Sequence, residues 1–146
     1  MAHDTFESPL GKRYAGERMK ALWSDDRKFS TWRRLWVALA EAEAELGLDI
    51  TEAQLDEMRA HLTDIDYEVV AAREAEVRHD VMAHIYAFGL VAPAAKPIIH
   101  LGATSCFVGD NTDIILQREA LGLVREKLVA TIRALAGFAA RWAATP

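Results

Sequence analysis

Apolar residues recur at helical spacing along most of the chain. Trp32, Leu35, Trp36, Leu39 and Leu46 mark one face of a helix that begins after Ser24, carries Asp25 and Asp26 in its first turn, and is stopped by Gly47. Thr51 and Gln54 have the spacing of a capping box ahead of a short helix bearing Leu55, Met58 and Leu62. Asp64 or Asp66 starts another, rich in alanine and glutamate, that runs towards Val77. Arg78-His79-Asp80 then interrupts, and Val81, Met82, Ile85, Tyr86 and Phe88 continue a helical face to Gly89. The first 23 residues are weakly periodic and broken by Pro9, Gly11 and Gly16, which predicts an irregular arm with a helical turn near Met19.

Beyond Gly89 the pattern changes. Pro93 and Pro97 forbid a continuous helix, so Ile98-Ile99 is expected to run extended into the stretch from His100 to Asp113. From there Ile114, Leu121, Leu128, Leu135 and Trp142 recur every seven residues, with Val124 and Phe138 between them. This predicts a rod reaching about Ala144, roughly 50 Å long at 1.5 Å per residue. Such a stripe cannot be buried inside a domain this small and needs partner helices. No segment reads as strand, and the expected class is all-α. Residues 1–104 are expected to form an N-terminal helical domain, and 105–146 the start of a central helical bundle.

Composition narrows the picture. With 146 residues and 51% hydrophobic content, the chain has enough material for one ordinary core. A net charge of -5 argues against nucleic acid or an anionic membrane surface as the main partner. The single Cys106 excludes an internal disulfide and any multi-cysteine zinc site. No apolar run approaches the roughly 18 residues of a membrane span, and the N-terminus lacks a signal-peptide profile. The expected location is cytoplasmic.

Three segments carry candidate chemistry. A helix start offers unpaired backbone N–H groups and partial positive charge, so Thr104 and Ser105 are candidate ligands for a carboxylate; the alternative is that Ser105 simply caps the helix. Arg78, His79 and Asp80 place a fixed cation, a titratable imidazole and a carboxylate at a helix break, or else form solvated surface. Arg13 and Tyr14 lie on a glycine-bounded loop, where a guanidinium fork and a phenol suit a phosphate; a basic spot on an unstructured arm is the alternative. His79 and His84 are five apart, off a common helical face, so no metal site is expected. Cys106, with no evident base, reads as a buried structural thiol.

Taken together, Ser-Pro-Leu-x-x-Arg-Tyr-Ala at 8–15, Arg-His-Asp-Val-Met-Ala-His at 78–84 and His-Leu-Gly-Ala-Thr-Ser-Cys-x-Val-Gly-Asp-Asn-Thr-Asp at 100–113 resemble the adenylosuccinate lyase family of the fumarase and aspartase superfamily. The likeness covers essentially the whole chain and extends to Lys28-Phe-Ser-Thr-Trp-Arg-Arg-Leu-Trp36, which is similar to the branch found in animals and some bacteria. The resemblance implies a carbon–nitrogen lyase that eliminates fumarate from adenylosuccinate to leave AMP, and from the succinylated carboxamide ribotide of purine biosynthesis, without a cofactor. It implies that Arg13 and Tyr14 bind the substrate phosphate. Arg78, His79 and Asp80 would line the pocket, with His79 in a supporting catalytic role, and Thr104 and Ser105 would hold the succinyl portion. The family's general acid, a histidine in a Thr-His-x-Gln element, and its serine base lie further along, and neither element occurs in these residues. The chain is therefore expected to be an N-terminal portion and inactive alone. Homotetramers with a central bundle of long helices are implied as well. A non-catalytic helical oligomerisation module and a sister lyase with a non-nucleotide substrate are the other readings.

Overall fold

The computed structural model describes residues 8–145. It is all-α, with no strand among the described residues. A π-helical turn at Leu10–Tyr14 precedes α1 (Glu17–Leu22), α2 (Asp25–Glu45), α3 (Glu52–Ala60), α4 (Tyr67–Val77), α5 (Asp80–Val91) and α6 (Ser105–Trp142).

Local signals explain the helix starts. Ser24 accepts from the Arg27 N–H, and Asp66 accepts from the Glu68 and Val69 N–H groups, so the second of the two candidate aspartates is the cap of α4. Thr51 and Gln54 close a reciprocal capping box. The arm contains the expected helical turn at Met19, within α1. α5 continues two residues past Gly89, because an internal glycine weakens a helix without having to end it.

Residues 24–113 form one compact unit. In it α3 packs on α2 and α4 on α5, around a core that includes Trp32, Trp36, Met58, Phe88, Ile98, Ile99 and Val108. Each such side chain contributes about 1.5–3 kcal/mol on burial. One cation lies in this core. The Arg33 guanidinium is 2% exposed, donates to the His61 carbonyl, pairs with Asp64 at 2.9 Å and sits 4.5 Å from the centre of the Phe88 ring. A buried charge persists only when so partnered, and this one ties α2 to the loop that launches α4.

The Ile98-Ile99 segment is not extended. Residues 93–102 form consecutive turns, in which Ile98 and Ile99 both donate to the Ala95 carbonyl and Leu101 donates to that of Ile98. The two prolines preclude a regular helix without preventing short-range turns, and these place both isoleucines in the core.

The second unit comprises the segment through Trp23 and the residues from Ile114 onward. Within it Arg18 pairs with Glu126 at 2.7 Å. α6 spans 38 residues, about 57 Å. Its seven-residue stripe is open: Leu121 is 68% exposed, Leu128 57%, Leu135 63% and Phe138 65%. No helix among the described residues is long and apolar enough to cross a membrane.

Candidate functional site

The interruption between α4 and α5 is a left-handed turn. Arg78 ends α4 at φ 52° and ψ 41°, its N–H bonded to the Glu74 carbonyl at 2.7 Å. Glycine usually holds this position, and an L-residue there costs about 1–2 kcal/mol. The turn allows a second helix to start two residues later. His79, extended, caps α5: its Nδ1 accepts from the Met82 N–H at 3.5 Å and lies 3.6 Å from Asp80 Oδ1. Asp80 accepts from the Val81 N–H at 2.7 Å. Arg78, His79 and Asp80 are all exposed.

A second non-glycine residue with positive φ, His100 at 65°, begins the approach to α6, and Gly102 follows at 63°. The indole of Trp36 donates to His100 Nδ1 at 2.9 Å. With Nδ1 accepting, the ring proton sits on Nε2, which is left as a donor. Burial, followed by the charge of nearby His79, holds the His100 pKa below its ordinary value, so the ring is neutral at pH 7. His79 has the same polarity, because its Nδ1 also accepts. Beneath the loop, the Glu43 Oε1 lies 3.6 Å from where a Cβ on Gly102 would stand, and its buried Oε2 has no hydrogen-bond partner. Burial raises the Glu43 pKa.

α6 starts at Ser105, so the capping position falls to Thr104, whose carbonyl accepts from the Phe107 N–H at 2.9 Å. Thr104 is exposed and Ser105 half-buried; the helix tip is open. Cys106, expected to be a buried thiol, is exposed. In the first turn of α6 the inward position belongs to Val108, about 200° round the helix from the outward-facing Cys106.

The residues 24–113 unit carries both the Arg78-His79-Asp80 turn and the Thr104-Ser105 tip, with the charge of His79 acting on His100. It combines a cation, two imidazole donors, two hydroxyls and a helix N-terminus, a set able to bind a carboxylate and to stabilise charge developing on it. Arg13 and Tyr14 belong to the other unit, both exposed, with the guanidinium carbon 5.7 Å from the phenol ring centre. Tyr14 lines a cavity of about 350 Å³ with Leu123, Val124 and Lys127. No group of three or more metal-ligating side chains occurs among the described residues. Sequence reasoning assigned no role to His100, Trp36 or Glu43. Their signal was faint: Trp36 reads as one more residue of an apolar stripe, and the partner of each lies more than 55 positions away.

No family model matches the chain. Among curated proteins, it is 49% identical over 99% of its length to adenylosuccinate lyase of Saccharomyces cerevisiae, 46% over 99% to that of Schizosaccharomyces pombe, and 47% over 91% to that of Schistosoma mansoni. The chain spans 28–30% of the length of these relatives.

Proposed function

By sequence the chain belongs to the adenylosuccinate lyase family, as a segment about 30% of the length of its relatives, and on that premise we propose that it is the N-terminal, substrate-binding portion of such an enzyme. The identity of 46–49% across 99% of the chain carries this reading. The enzyme would release fumarate from adenylosuccinate, leaving AMP, and from the succinylated carboxamide ribotide, with no cofactor. Residues 1–104 would form the N-terminal domain and 105–146 the first part of the central bundle, a reading that the start of the long α6 at Ser105 supports.

In this reading Arg13 and Tyr14 hold the substrate phosphate through a charge-assisted fork and a neutral donor. Thr104, Ser105 and the α6 N-terminus hold the succinyl carboxylate beside the carbon that loses a proton. Proton loss there builds negative charge on the carboxylate, and fixed donors stabilise that state more than the ground state. Arg78 and Asp80 line the pocket, while His79 assists from Nε2 without being the principal acid or base. The open stripe of α6 supports self-association into a homotetramer whose partner helices cover it. These 146 residues contain no Thr-His-x-Gln element, so the chain alone is inactive.

Calorimetric titration with AMP, together with an ultraviolet assay for fumarate, tests the proposal. AMP should bind, and Arg13→Ala should weaken it about tenfold or more, the loss expected for a charge-assisted bond. Fumarate released by the 146-residue chain alone, or AMP affinity indifferent to Arg13→Ala, would overturn the reading.

A further inference from the structure

A cavity of about 360 Å³ opens beside His79, between α4, α5 and the turns that follow α5. Its volume falls at the lower end of small-ligand sites, roughly 300–1,000 Å³. Val77 and Ile85 give it apolar walls, and Tyr86 a ring; Arg73, His79 and Lys96 complete the polar side, and no carboxylate is among the lining residues.

The two fixed cations converge on one ring. The Arg73 guanidinium carbon lies 4.8 Å from the Tyr86 ring centre and the Lys96 ammonium 5.9 Å from it. Arg73 also pairs with Glu76 at 2.7 Å, but Glu76 is 68% exposed, and an ion pair so open to water is weak and exchanges readily for another anion. Lys96 is placed by packing. A Cβ on Gly89 would stand 2.8 Å from Lys96 Cγ, so the stem of the lysine lies against backbone that only glycine leaves bare. A side chain already confined loses less rotamer freedom when it binds. His79, with Nδ1 accepting from Met82, contributes an Nε2–H donor.

We propose that this cavity is an anion-binding site for a small phosphorylated or carboxylated ligand, whose planar or apolar part packs on Tyr86 and Val77. The site stands on α4, α5 and Lys96, and it does not depend on the lyase reading. It shares His79 with the candidate substrate site, so occupancy of one is felt at the other.

Phenyl phosphate supplies both parts of the ligand, and benzyl alcohol only the apolar part. Titration of the chain with each, followed by NMR at the Tyr86 ring and the His79 imidazole, should show saturable shifts with phenyl phosphate and none with benzyl alcohol. Lys96→Gln and Arg73→Gln should each weaken the phenyl phosphate binding read at the Tyr86 ring about tenfold, whereas Arg13→Ala, which removes a phosphate ligand of the candidate substrate site only, should leave the titration read at that ring unchanged. Circular dichroism melts of the variants separate lost binding from lost fold, and Gly89→Ala, which displaces the Lys96 stem while keeping its charge, should weaken binding as a second variant. Absence of saturable shifts at Tyr86, equal response to benzyl alcohol, or affinity indifferent to both charge-removing variants would overturn the proposal.

Discussion

Acidification from pH 7 to pH 5 is expected to weaken the fold by about 2 kcal/mol through His84 alone. His84 is 5% exposed, its ring stacked 3.8 Å from that of Phe29 and edge-on to Trp32 at 5.2 Å. Burial, reinforced by the charge of Arg33 and opposed by Asp80, pushes its pKa from 6.5 down to about 4; Lys28 adds a smaller push in the same direction. The native state thus holds the ring neutral while the unfolded chain protonates it below pH 6.5. Because the unfolded state binds more protons, the contribution of His84 is fully present above pH 6.5 and is lost as the pH falls towards 4. Between 6.5 and 5 the native state forgoes about 1.5 pH units of protonation, at about 1.36 kcal/mol each. Urea unfolding followed by tryptophan fluorescence measures this. With a slope of about 1–3 kcal/mol per molar, the midpoint of the parent should fall about 1 M further between pH 7 and pH 5 than that of His84→Phe, which keeps a ring against Phe29 but cannot titrate. Midpoints that fall in parallel for the two proteins would refute the reasoning.

Two other outcomes follow from the packing. Trp36→Phe keeps an aromatic ring in the core but removes the donor to His100 Nδ1; it should cost about 1–3 kcal/mol in thermal or urea unfolding, and nitrogen-15 NMR should show His100 losing its single Nε2–H tautomer. Unchanged His100 nitrogen shifts would show that the indole does not set the tautomer. Replacing Leu121 and Leu128 together by glutamate puts charge on the open stripe of α6; sedimentation should show the parent self-associating and the double variant monomeric, with equal helix content, and equal masses for the two would exclude the stripe as the contact.

Much of the fold was legible because its signals are local. A cap at Ser24 acts on Arg27, the Thr51–Gln54 box spans three residues, and the seven-residue stripe of α6 needs only helical geometry to be seen. The same locality exposed the break at Arg78-His79-Asp80 and located the start of α6. It failed where short-range preferences left several outcomes open. Two prolines exclude helix from 93–102 but do not distinguish extended chain from turns, and burial of Ile98 and Ile99 decided for turns. Likewise, the exposure of Cys106 follows from the side of α6 that Val108 turns to the core.

By itself, then, the sequence determined the all-α class, the helix starts, the break, the rod and the segments that carry the candidate chemistry, since each rests on contacts within about one or two helical turns. Only the tertiary structure decided which polar groups act on one another. Trp36 reaches His100 across 64 positions, Arg33 reaches Asp64 across 31, and Lys96 settles on Gly89 from the turns beyond α5. These pairings depend on how helices pack, which periodicity does not encode. They set the tautomer, charge and freedom of each side chain, and those properties make a cluster of residues into a site.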